Sequence, residues 1–237
     1  MPSDLSTTYP DAEISRIRAA YARRTDHERY QWSNPAHVFA VQERERATLG
    51  LLRRYGFATL GDARILELGC GVGFWLREFI KWGAQPANIT GVELLADRAI
   101  EAQRLCPTGV SVTCGDASTV ELPDSDFHIV LQSMLVSSVL DRALRRALAQ
   151  KMLASVRRDG LVLWYDYHVN NPSNPDVRGV PRAEIEQLFP NCSIDLRRIT
   201  LAPPLARAVA PTGPLLYGLL QHVSVLRTHY LGVIRKR

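Results

Sequence analysis

The chain has 237 residues, 46% of them hydrophobic and 22% charged, with a formal charge of +5 and a pI near 9.2. These values suit one soluble α/β domain with a sizeable core. The arginines are spread along the whole chain, so the charge reads first as a solvated basic surface and only weakly as a nucleic-acid or acidic-surface binder. Cys70, Cys106, Cys114 and Cys192 lack zinc, iron–sulfur or disulfide-framework spacing, which argues against metal and radical chemistry. There is no basic start followed by an apolar run, and no uninterrupted apolar stretch of about 18–20 residues, so a cytoplasmic location without stable membrane insertion is expected.

Residues 11–24 place Ile14, Ile17 and Tyr21 at helical spacing. A second helix is expected from Asn34-Pro35, a cap followed by proline at the first helical position, to Gly56. Thereafter strands and helices alternate. Strands are predicted at 63–69, 88–94, 110–116, 127–135, 161–168, 193–200 and 229–236. Helices are predicted at 73–83, 96–106, 141–158 and 182–189. Such alternation means an α/β, doubly wound, seven-stranded and mostly parallel sheet. The last two strands lack a crossover helix, as a pair closing antiparallel at one edge would. Residues 1–58 then form an N-terminal helical cap and 59–237 the Rossmann-like domain, with a Pro- and Leu-rich insertion at 201–228. That insertion is open to packing on the sheet, to lidding the site, to pairing subunits as a homodimer or to touching a membrane surface.

The most informative string is ILELGCGVGFW. A buried strand delivers Glu67, then Gly69, Cys70, Gly71 and Gly73, straight into a helix. Glycines suit a turn whose backbone angles exclude side chains and against which a ligand lies closely. Nicotinamide and flavin enzymes use such loops too, but their third glycine falls where this chain has Phe74. Glu67, two residues before the first glycine, would repel a pyrophosphate and suits the ammonium end of a methionine moiety. Glu93 ends the second strand, where a carboxylate takes two ribose hydroxyls. Asp116 ends the third, placed for an adenine amino group, with Leu94 and Ala117 flanking the ring.

ILELGCGVG, TGVELLADRAIEAQ, CGDASTVELPDSDFHIVLQS and LVLWYD together resemble the successive motifs of class I, Rossmann-like S-adenosylmethionine-dependent methyltransferases, firmly over residues 60–170. The flanks are similar, less specifically, to small bacterial methyltransferases of glycan or secondary-metabolite pathways. The resemblance implies S-adenosylmethionine as cofactor and S-adenosylhomocysteine as product. It also implies that Gln132 and Ser133 contact the methionine part, and that Tyr21, Arg24 and Tyr30 belong to a cap over the cofactor. The Asn/Asp-Pro-Pro-Tyr box of amino-directed enzymes is absent after the fourth strand. That disfavours nucleobase methylation, and no nucleic-acid partner is expected.

Methyl transfer from a sulfonium needs alignment, exclusion of water and, for a hydroxyl acceptor, a base. His168, closing the fifth strand, is the candidate base, with Asp166 as its rival or orienter. Tyr167, Asn170 and Asn171 are candidate acceptor contacts. The expected activity is methylation of a small molecule, at an oxygen of a sugar or natural-product intermediate; carbon or carboxyl methylation is the nearest alternative. A nicotinamide-dependent oxidoreductase, a cofactor-binding domain without turnover and a basic RNA modifier are the rivals from other classes.

Overall fold

The computed structural model describes residues 9–23, 31–122, 126–171 and 174–237. Its sheet contains β1 (Ile65–Leu68), β2 (Ile89–Glu93), β3 (Ser111–Cys114), β4 (Phe127–Ser133), β5 (Val156–Tyr167), β6 (Cys192–Leu201) and β7 (Arg227–Lys236). Their order is β3-β2-β1-β4-β5-β7-β6. β1 to β5 pair in parallel, and β7 is antiparallel to both β5 and β6. The terminal pair therefore does close one side of the sheet. β7 lies inside it and β6 forms the edge.

Side-chain alternation along the strands divides the core into two faces. Ile65, Ile129, Leu131, Leu163 and Leu231 face α2 (Pro35–Arg54), α3 (Phe74–Lys81) and α4 (Ala96–Leu105) through Leu51, Leu52, Trp75, Leu76, Phe79 and Ala102. Leu66, Leu68, Val130, Val162, Trp164 and Ile234 face α1 (Tyr9–Ala22), α5 (Arg142–Ser155) and α6 (Arg182–Leu188) through Ile17, Leu148, Met152 and Ile185. The two N-terminal helices thus part to opposite faces. The cap expected for α2 is present: Asn34 accepts from the Ala36 amide at 3.0 Å, satisfying a donor the helix leaves open.

The largest boundary difference among the strands is at β5. A helix was expected through residue 158 and a strand only from 161, yet α5 stops at Ser155 and β5 begins at Val156. Val156 pairs with Phe127, and the register shifts before Leu161 pairs with Ile129. Pairing with β4 overrides the helical preference of this basic stretch, and a bulge absorbs the additional residues. The insertion resolves into α7 (Pro203–Val209) and α8 (Pro214–Gln221). It packs Leu201, Ala206, Val209, Ala210 and Tyr217 onto Ala36 and Phe39 of α2.

Candidate active site

Parallel pairing aligns the chemistry at one edge. Leu68 pairs with Val92 and with Gln132, Glu93 with Cys114, and Ser133 with Tyr165. The carboxyl ends of β1 to β5 therefore present Glu67, Glu93, Asp116, Gln132, Ser133 and Tyr167 along the same rim. Ligands of open α/β sheets bind at such a rim.

The loop after β1 folds onto the end of β2. Gly69 and Cys70 donate their amides to the Val92 carbonyl at 2.8 and 2.9 Å. Gly69, Gly71 and Gly73 take φ of 74°, 57° and 73°, the left-handed region where a side chain is costly. Glu93 closes the loop: Oε2 accepts from the Gly71 amide at 2.7 Å and Oε1 from the Leu95 amide at 3.0 Å. Behind the loop, Trp75 donates its indole N–H to Ser133 Oγ at 2.8 Å, tying α3 to the end of β4.

Glu67 is buried, and its Oε2 has no hydrogen-bond partner among the described residues. Burial, reinforced by the charge of Glu93, holds its carboxyl well above the ordinary carboxylate range. Such a group is expensive to bury unless something pairs with it. Gln132 is likewise buried: its Oε1 accepts from the Leu135 and Val136 amides at 3.3 and 3.4 Å, while Nε2 is unpartnered among the described residues. A bare glycine backbone, an unpaired carboxylate at its start and an unused amide donor opposite match the needs of a cationic, phosphate-free ligand. S-adenosylmethionine, with its ammonium end, fits these residues.

Two arginines that sequence reasoning did not single out complete this wall. Arg44 of α2 sets its guanidinium 5.1 Å from the Phe74 ring, 4.9 Å from Trp75 and 5.2 Å from Tyr165. This triple cation–π contact fixes a positive charge on the Glu67 side of the loop. Arg98 of α4 lies over the Tyr21 ring at 4.8 Å, and a Cβ on Gly71 would come within 2.5 Å of its Nη2. The place of Arg98 in the first turn of α4, directly after the strand end at Glu93, was the available signal for the second; Arg44 had none. Met134, at the end of β4, holds φ of 61° while its amide donates to the Tyr165 carbonyl at 2.9 Å. A strained non-glycine residue beside a ligand rim is a recurrent functional feature.

The remaining predicted residues divide into groups. Tyr21 and Leu94 pack on the α1 face beside buried Ala117, and Asp116 Oδ1 accepts from the Ser118 amide at 2.8 Å. Asp166 is fully buried; its two oxygens accept from the Ser137 and Tyr167 amides at 3.0 and 2.9 Å, and burial pushes its carboxyl up to about 6. That placement holds the loop after β4 and offers no atom to an acceptor. Tyr167 lies against His229 with ring centroids 4.0 Å apart. His168 stacks on Tyr230 at 4.5 Å, and its Nε2 meets the Arg227 carbonyl at 2.9 Å. His168 and Asn170 line a shallow cleft of about 460 Å³ with Arg142, Arg178 and Glu184. Asn170 also accepts from the Gly179 amide at 3.0 Å, and the Asn171 carbonyl accepts from the Asn174 amide at 3.0 Å. Arg24 and Tyr30 lie outside the described residues.

Comparison with known proteins bears on the same region. A family model described as a methyltransferase domain matches residues 65–160. No curated protein sequence matches the chain. Among solved structures, the plantazolicin methyltransferase BpumL in complex with S-adenosylhomocysteine is 13% identical, with 96% of each chain covered and a TM-score of 0.61. A phosphoethanolamine N-methyltransferase from Haemonchus contortus is 16% identical over 93% of this chain and 60% of its own, with a TM-score of 0.58. The YcgJ protein from Bacillus subtilis is 15% identical over 81% of this chain and 99% of its own, with a TM-score of 0.55. At these identities the likeness is one of fold. Residues 65–160 thus match a methyltransferase domain, the solved structures share its fold, and the glycine loop and buried carboxylate suit S-adenosylmethionine.

Proposed function

We propose that the protein methylates a small-molecule acceptor at an oxygen, on a sugar or natural-product intermediate, with His168 as general base. The observation that carries this reading is the state of His168 beside a polar cleft. Burial, with the nearby charge of Arg198, holds its imidazole below the ordinary value, so it is neutral at pH 7. Nε2–H donates to the Arg227 carbonyl, which leaves Nδ1 as the basic nitrogen. The cleft it lines contains Asn170, Arg142 and Arg178, donors suited to a hydroxylated acceptor. A small acceptor is also in keeping with the likeness to the Haemonchus contortus enzyme, solved with phosphomonomethylethanolamine.

When bound, S-adenosylmethionine supplies an already activated methyl group on a sulfonium. The chain's own part is to hold and align. Glu67 would pair with the ammonium end, Gln132 Nε2 would donate to the methionine part, and Glu93, besides bracing the loop, keeps lone pairs for ribose hydroxyls. Asp116 would accept from the adenine amino group, with Leu94 and Ala117 flanking the ring. Arg44 and the rings around it would exclude water from the methionine side. Asp166 would act only by positioning the loop that carries Ser137.

Titration calorimetry with S-adenosylmethionine and S-adenosylhomocysteine, with NADH as control, tests the cofactor half of this reading. Binding of NADH alone would overturn it. For the base, the test is a methyl-transfer screen with sugars first. His168→Ala should lower kcat by about 10²–10⁴-fold, the usual worth of a general base, with S-adenosylhomocysteine affinity retained. Unchanged turnover would remove His168 from that role.

A further inference from the structure

After Asp195 the chain contains seven arginines and lysines and no aspartate or glutamate. Within this stretch, α8 reads PLLYGLLQ and carries no charge. Only one side of it is used by the fold: Tyr217 is buried, with its ring centroid 4.8 Å from that of Phe39. Leu215 and Leu219 stand 85% and 72% exposed, Leu216 lies beside them, and Val223 and Val225 continue the patch, the latter 78% exposed. Scattered exposed apolar residues are ordinary, but five large ones within eleven positions form a surface that requires a covering.

The surrounding charge says which covering. Arg198 and Arg207 are exposed, and neither has a carboxylate partner among the described residues. Arg227 spends its guanidinium on the Gln221 and Arg198 carbonyls, at 2.5 and 2.9 Å, and so anchors the end of α8. A second copy of the same face would bring these cations against one another. An eight-residue helix, about 12 Å long, also falls short of the roughly 800 Å² per partner that a stable dimer uses. Among the described residues no helix is long and apolar enough to cross a bilayer. An uncharged apolar helix edged at the surface by arginines, with the nearby Glu43 carboxylate buried beneath the surface, is instead the composition of a segment lying in an anionic lipid interface.

We propose that α8 and the turn through Val225 dock the protein reversibly on anionic phospholipid bilayers. This does not rest on the acceptor reading, and its test does not depend on methyl transfer. The full chain would be co-sedimented with vesicles of phosphatidylcholine alone and of phosphatidylcholine with about one-third phosphatidylglycerol, at about 0.05 and 0.5 M salt. Binding to the anionic vesicles should be at least ~10-fold stronger and should fall at high salt. Leu215→Glu with Leu219→Glu should reduce it by ~10-fold or more at unchanged Tm, and Arg207→Glu should reduce it less. Because these side chains are exposed, the variants fold. No partition onto anionic vesicles, or equal partition of wild type and the double variant, would overturn the proposal. So would a concentration-dependent dimer dispersed by the double variant in the absence of vesicle binding.

Discussion

Glu67, proposed above as a cofactor contact, is buried at a cost to the fold. Burial, and then the charge of Glu93, raises its carboxyl well above the ordinary 4.5. The folded chain therefore retains a proton there that the unfolded chain releases above about pH 4.5. Stability is lost as pH rises from the unfolded value towards the folded one, so this position destabilises the ligand-free protein at neutral pH. Glu67→Gln keeps the shape and removes the titration. It should raise Tm by about 2–4 °C, the shift of ~1 kcal/mol in a chain of this size, and weaken S-adenosylhomocysteine binding about tenfold or more. Differential scanning fluorimetry and calorimetry on the same sample measure both; a lowered Tm with undiminished affinity would refute the assignment. Glu67 was legible from its place before the first glycine. That its Oε2 is left without a partner among the described residues was not, because that depends on which groups from α2 and β4 reach it.

Behind the rim, α5 and β7 each bury a titratable side chain, Arg145 and His229. Arg145 of α5 is wholly buried and donates to the Val139 carbonyl at 2.6 Å, to Glu184 of α6 at 2.8 Å and to the Arg178 carbonyl at 2.9 Å. Arg145→Met would strand the Val139 and Arg178 carbonyls, whereas Glu184 keeps Arg178 at 2.8 Å, and should cost about 2–4 kcal/mol, roughly the penalty of two orphaned buried acceptors. The urea midpoint should fall at unchanged m-value, and a loss under 1 kcal/mol would mean that water replaces the guanidinium. On β7, His229 is buried between Tyr165 and Tyr167. Burial, aided by Arg44 and His168, pushes its imidazole down to about 3. The unfolded chain binds a proton there below about pH 6.5 and the folded chain does not, so stability is lost as pH falls from 6.5 towards 3. The slope approaches about 1.4 kcal/mol per pH unit. His229→Phe should flatten the acid limb of Tm against pH, and an unchanged limb would place the lability in other groups. Nothing in the sequence marked either residue, since both roles arise from strands and helices brought together by the sheet order.

At the scale of the whole molecule, ligand binding and folding are linked. A cofactor that binds only the folded rim should stabilise by about 2.7 kcal/mol at one hundred times Kd, or about 5–10 °C in Tm. A thermal scan with S-adenosylhomocysteine reads this directly, and no shift at saturating concentration would contradict the site. The sequence by itself determined the class of fold, the strand that carries the glycine loop, and the carboxylates that end β1, β2 and β3. These features are written in local terms, as apolar periodicity, glycine spacing and adjacency along the chain. Only the tertiary structure decided that β5 begins at Val156, that β7 runs between β5 and β6, and that α1 and α2 take opposite faces. It alone also decided that Arg44 and Arg98 meet at the loop and that α8 keeps its leucines outward. Each depends on contacts between residues far apart in sequence, whose pairing no local pattern encodes.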